Sequence, residues 1–154
     1  MQIEYYYYNS PIGILEIELK NNVILHFGAV DFHSYIYING ELADEHIGGF
    51  ASFEIDITKF VKCGENDIFV IAEDDVRSRI QPSGKQCIDY ASRRCLYTRT
   101  TGIWQTVWLE FVPKAYIKNC KYYPDITNGI LTVSGEVKGK GELELISSYE
   151  GKAT

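Results

Sequence analysis

The stretch Val23–Thr58, VILHFGAVDFHSYIYINGELADEHIGGFASFEIDIT, decides the fold, because it lays down three strands and the turns that join them. Val23–Phe27 is a short apolar run that ends at Gly28. Ser34–Ile38 then alternates Ser34, Ile36 and Ile38 with Tyr35 and Tyr37, the period of two that belongs to a strand. Asn39-Gly40 closes this strand with a dipeptide that accepts positive φ at little cost. Gly48-Gly49 makes a second backbone break before Phe53–Ile57. In that last strand Phe53, Ile55 and Ile57 share one face, and Ser52, Glu54 and Asp56 share the other. One face is therefore core and the other solvent.

Working outward, Lys62–Asn66 is a polar turn and Asp67–Ala72 a strand that places Ile68 and Val70 on one side. From Glu73 to Arg94 no period is sustained. A loop of that length in a compact domain is usually functional or mobile. Periodicity returns at Cys95 and runs through Ile103–Phe111 until Pro113. The expected core is Phe53, Ile55, Ile57, Ile68, Val70, Val107 and Leu109, with Trp104 filling the sandwich interior as tryptophans do in comparable folds. Upstream, Ile3–Tyr8 and Ile14–Leu19 read as two strands of a hairpin, turned by Pro11 and Gly13. Downstream, Ala115–Tyr122, Ile130–Val137 and Glu142–Ile146 read as three further strands, too few for a seven-stranded sandwich. Their unpaired edges are expected to invite self-association.

The 154 residues suffice for one domain with a real core and part of another. A net charge of −6, from 15 basic and 21 acidic side chains, disfavours a nucleic-acid phosphate surface. Cys63, Cys87, Cys95 and Cys120 contain no C-x-x-C pair and no zinc spacing, so free thiols are expected. The amino terminus, MQIEYYYYNS, lacks the charge and apolar block of a signal peptide. No run approaches the ~20 apolar residues of a membrane span. These features place the chain in the cytoplasm, away from membranes.

In order, FGAVDF, YINGE, EHIGGFASFEIDIT, GEN, PSGKQ and YTRTTGIWQTVWLE resemble the amino-terminal sugar-binding β-sandwich of glycoside hydrolase family 2, the family of β-galactosidases and β-glucuronidases. The resemblance runs roughly from Val23 to Glu110, and the segment after Pro113 looks like the start of the immunoglobulin-like domain that follows in those enzymes. It implies an all-β, jelly-roll-like β-sandwich with a partial immunoglobulin-like sandwich at the carboxyl end. The implied divisions are 1–22, 23–113 and 114–154. Residues 1–22 depart from the family, whose corresponding stretch is longer. YYYYNSPIGILEI also resembles, over a short span, the opening of the methylated-DNA–protein cysteine methyltransferases. That family needs a nucleophile in a Pro-Cys-His-Arg setting, and no cysteine here has either neighbour.

Asp31 falls where the resembled β-galactosidases carry a polar residue facing the sugar. A carboxylate there accepts hydrogen bonds from adjacent hydroxyls; the alternative is a turn aspartate that caps local N–H groups. Tyr97 and Arg99 lie where the family shapes the mouth of its substrate cleft, Tyr97 to stack on a sugar and Arg99 to clamp a carboxylate or hydroxyl; an ion pair within the domain is the alternative for Arg99. Gly84-Lys85-Gln86 matches a family loop that reaches toward the active site. His33 and His46, beside Asp31 and Glu45, lack a third convergent nitrogen, so no metal site is assigned, and no cofactor is implied. Glycoside hydrolysis needs two carboxylates, which this family supplies from a (β/α)8 barrel; none follows here, so no catalytic residue is assigned. The resemblance thus implies a non-catalytic accessory domain that binds carbohydrate weakly and lines one side of a catalytic barrel. The alternative is a free-standing, lectin-like carbohydrate-binding module, stacking sugars on Tyr97, Trp104 or Trp108. The accessory domain is expected to bury its tryptophans, the lectin to expose them.

Overall fold

Alternation of side chains along the strands is what closes the first part of the chain. The computed structural model describes residues 4–78, 80–89, 91–146, 148–149 and 152–153, and the chain divides into two units, Met1–Phe111 and Val112–Thr154. In chain order the strands of the first are β1 (Glu4–Ile14), β2 (Asn22–Phe27), β3 (Val30–Asp31), β4 (His33–Ile38), β5 (Glu41–Ile47), β6 (Phe53–Asp56), β7 (Gly64–Asp74), β8 (Gly102–Ile103) and β9 (Val107–Val112), which runs across the division. One sheet has the order β1-β7-β4-β5 and the other β6-β2-β9; β3 and β8 form a separate two-stranded ladder. The fold is an all-β sandwich.

Ser34, Ile36 and Ile38 on β4 are buried, while the intervening tyrosines are only partly so. Opposite them Val23, Leu25 and Phe27 of β2 and Ile55 of β6 complete a core that also takes in Ile57, Ile68 and Val70. The Phe27 and Phe53 rings stack at 4.8 Å. Asn39 and Gly40 adopt φ of 51° and 85°, as the turn requires. This turn is locked from below by Asn66, which is buried and fully engaged. Its Oδ1 accepts from Asn39 Nδ2 and the Lys62 amide, both at 2.9 Å, and its Nδ2 donates to the carbonyls of Lys62 and Gly64.

Three expectations for this unit fail. Glu4–Ile14 is one continuous strand paired with β7 along its whole length, and it is followed by a 3-10 turn at Glu18–Lys20 instead of a returning strand. Pro11 and Gly13 do not turn the chain because β1 is the terminal strand of its sheet, where a proline costs no ladder hydrogen bond on the open side. Val107 is exposed and not core, whereas Leu109 is partly buried against the core. Trp104 is 47% exposed: its indole lies outside the sheets, against a loop. The structure also adds β5, an edge strand exposed along most of both faces that carries no alternation to read.

The second unit contains an antiparallel hairpin of β10 (Tyr116–Asp125) and β11 (Ile130–Lys138), and a short ladder of β12 (Ser148–Tyr149) with β13 (Lys152–Ala153). The hairpin turn is held by Asp125, which accepts hydrogen bonds from the Asn128 amide and side chain. Glu142–Ile146, expected as a strand, is irregular; among the described residues no strand pairs with it, and Leu143 and Leu145 are exposed. A two-stranded ladder has no second layer in which to bury apolar side chains, and Tyr122, Tyr123, Ile130 and Leu131 are exposed accordingly.

Candidate functional site

Asp31 ends the two-residue strand β3, where it pairs with Gly102 of β8. The long loop after β7 folds back on itself through a parallel bridge between Gln86 and Tyr97, with the Tyr97 amide donating to the Lys85 carbonyl and the Cys87 amide to the Tyr97 carbonyl, both at 2.8 Å. This fold-back brings Gln86 over Asp31. Its Nε2 donates to Asp31 Oδ2 at 2.8 Å, and its Oε1 accepts from the Thr100 amide at 3.0 Å. One amide side chain thus ties β3 to both arms of the loop.

Around this junction lies a cavity of about 320 Å3 lined by Asp31, Phe50, Ser83–Gln86, Tyr97, Thr98, Thr100 and Trp104. That volume is in the range of small-molecule sites, ~300–1,000 Å3. Phe50 and Trp104 meet edge to face at 6.1 Å, and Trp104 Nε1 donates to the Gly49 carbonyl at 2.8 Å. A Cβ at Gly49 would collide with the Asp31 carboxylate, so glycine is what allows this close approach. Asp31 is 5% exposed, and its Oδ1 has no hydrogen-bond partner. Burial, helped by the nearby Asp74 carboxylate and opposed by the Gln86 hydrogen bond, raises its pKa from 3.8 to about 6. Asp74 accepts from Thr101 Oγ1 at 2.7 Å and from Gln81 Nε2.

Of the residues singled out in the sequence, Asp31 and Tyr97 share this pocket, while Arg99 stands beside it. Its guanidinium donates to the carbonyls of Cys87 at 3.2 Å and Ile88 at 2.5 Å, bracing the fold-back. Sequence reasoning missed Phe50 and the hydrogen bonds of Gln86. Gly48-Gly49 signalled a backbone break, but not that a carboxylate would lie against it. His26 Nε2 is hydrogen-bonded to Glu110 Oε2 at 2.9 Å and its ring stacks on Trp108 at 4.7 Å; it lies in β2, outside the pocket. His33 and His46 join no group of three ligands among the described residues. A larger cavity, about 650 Å3, is lined by β1, β9 and the core between them and carries no Asp, Glu, Lys, Arg or His.

The raised pKa of Asp31 has a measurable consequence. Between pH 4 and 6 the folded state holds a proton that the unfolded chain releases, so stability falls as pH rises through this window and stays lower above it. Asp31→Asn removes this dependence. The variant should gain on the order of 1–2 kcal/mol over the parent above pH 6, after discounting for solvent screening, and nothing below pH 4. Urea denaturation across pH 4–8 measures the difference; parallel stability profiles would refute it.

Two facing sheets with an aromatic-walled, carboxylate-floored pocket of small-molecule size among the loops define an all-β sandwich domain with a ligand-sized site at its rim. The profile described as "Glycosyl hydrolases family 2, sugar binding domain" matches residues 5–113, and the chain belongs to that family. A putative β-glucuronidase of Formosa agariphila is 34% identical over 115 residues, 75% of this chain and 13% of that protein. A β-galactosidase of Thermoanaerobacter pseudethanolicus is 33% identical over 121 residues, 77% of this chain and 15% of the relative. Among solved structures, Bacteroides uniformis β-glucuronidase 2, covalently bound to cyclophellitol-6-carboxylate aziridine, superposes with a TM-score of 0.70 at 26% identity, covering 89% of this chain and 16% of that one. The chain therefore spans roughly an eighth to a seventh of the curated relatives it matches. The described residues contain no α-helix and hence no (β/α)8 barrel.

Proposed function

We propose that this chain is the sugar-contacting, non-catalytic domain of a family 2 glycoside hydrolase, lining one side of a substrate pocket completed by a catalytic barrel domain. The observation that carries this reading is the buried Asp31 carboxylate, one oxygen without a partner, in a pocket walled by Phe50, Tyr97 and Trp104. A buried carboxylate oxygen left without a donor is costly, and the hydroxyls of a pyranose supply donors. Tyr97, 62% exposed, offers a ring face for stacking. In this reading Arg99 is a positioning residue that holds the loop, not the clamp expected from its place in the sequence.

One wall of a pocket offers only a few hydrogen bonds in competition with water, each worth about 0.5–1.5 kcal/mol. The isolated chain should therefore bind methyl β-galactoside or methyl β-glucuronide with a millimolar Kd, about −4 kcal/mol, and turn over neither nitrophenyl glycoside. NMR titration and a chromogenic assay check the two statements. Asp31→Ala should abolish the binding; unchanged binding in that variant, or turnover by the chain alone, would overturn the reading.

Exposure of the tryptophans supports the second reading, a free-standing carbohydrate-binding module. Trp104 is 47% and Trp108 45% exposed, whereas an accessory domain was expected to bury both. Micromolar binding lost in Trp104→Ala or Trp108→Ala would establish the module. Millimolar binding leaves the exposed rings as surface for a barrel to cover.

A further inference from the structure

We infer that the pocket is built for an acidic sugar, with Lys85 as the side chain that selects a uronate carboxylate over the neutral hydroxymethyl group of the matching hexose. The inference rests on the sugar-contacting role proposed for the same pocket. Of the side chains lining the cavity, Asp31 is the anion and Lys85 the cation. Each is left over by the protein. Asp31 Oδ1 is buried without a partner, and among the described residues no carboxylate lies within ion-pair distance of the exposed Lys85 ammonium. The two charges line the same pocket without forming an ion pair with one another.

Lys85 is held where a ligand would meet it. Its ammonium lies 5.8 Å from the centroid of the Tyr97 ring, and its carbonyl accepts from the Tyr97 amide at 2.8 Å, so cation and stacking surface form one unit. Arg99 does not line the pocket, because its guanidinium turns to the carbonyls of Cys87 and Ile88. A pyranose with its apolar face on Tyr97 and its ring hydroxyls on Asp31 leaves one substituent for the ammonium. A carboxylate at C6 accepts a charge-assisted hydrogen bond there; a hydroxymethyl group leaves the ammonium to water. The pairing is partly open to solvent, so its effect on affinity is moderate and weakens as salt rises.

The test is NMR titration of the whole chain at pH 7 and low salt with methyl β-glucuronide and methyl β-glucoside, which differ only at C6. The glucuronide should bind about three- to tenfold more tightly. Lys85→Met should bring the ratio to about one, and Lys85→Arg, which keeps the charge, should retain the preference. Equal binding of the two glycosides by the parent chain, or a preference that survives Lys85→Met, overturns the inference and leaves the sugar-contacting role standing. Binding of neither glycoside overturns both.

Discussion

Phe27→Ala is expected to lower the free energy of unfolding by about 3–5 kcal/mol, the cost of truncating a fully buried phenylalanine whose surroundings relax only in part. Phe27 has 0% exposure, stacks on Phe53 at 4.8 Å, and belongs to the same buried core as Ile36 and Ile38 of the other sheet. Total stabilities of small domains are roughly 5–15 kcal/mol, so the variant should be close to unfolded at 37 °C. Urea denaturation followed by tryptophan fluorescence gives the number. A loss below 1 kcal/mol would mean that the two sheets do not pack through this ring.

Gly102→Ala should cost about 2–5 kcal/mol, from two separable sources. Its φ of +103° lies where a side chain is strained, and a Cβ built there runs into the Tyr8 ring, whose hydroxyl accepts a hydrogen bond from the neighbouring Ile103 amide at 3.2 Å. Combining Gly102→Ala with Tyr8→Ala relieves the collision but not the backbone strain. The double variant should thus be more stable than the sum of the single losses implies. Strict additivity would show that the collision is absent. Because Gly102 pairs with Asp31 across β3 and β8, the single substitution should also disturb the pocket.

The central strands were legible because their residues obey the period they adopt. Ser34, Ile36 and Ile38 alternate with tyrosines in the sequence and are buried alternately in the structure. Ile55, Ile57, Ile68 and Val70 also sit in the core, as their faces predicted. Misreadings came where tertiary position overrides a local rule. Pro11 and Gly13 are common turn residues, but a proline is also tolerated at the open side of a sheet, and β1 occupies that side. Trp104 was placed inside by analogy, yet its indole N–H finds the Gly49 carbonyl outside the sheets. Asp31 and Tyr97 were singled out by resemblance, but their meeting depends on Gln86, whose two hydrogen bonds join segments 55 and 14 residues away. No local pattern encodes contacts of that kind.

The position of β1 at the end of its sheet bears on how this chain survives at high concentration. From Tyr5 to Ile14 the strand carries no charge, and an uncharged, tyrosine-rich margin is the kind of template on which a second molecule can nucleate a fibril. The surplus of acidic groups elsewhere acts on the molecule as a whole and is weakened by salt. Pro11 interrupts the row of amide donors whatever the salt. The residue that reads as a turn in the sequence thus stands, in the fold, where an imino acid without an N–H breaks the open margin of the sheet, a position of the kind that gatekeeper residues occupy.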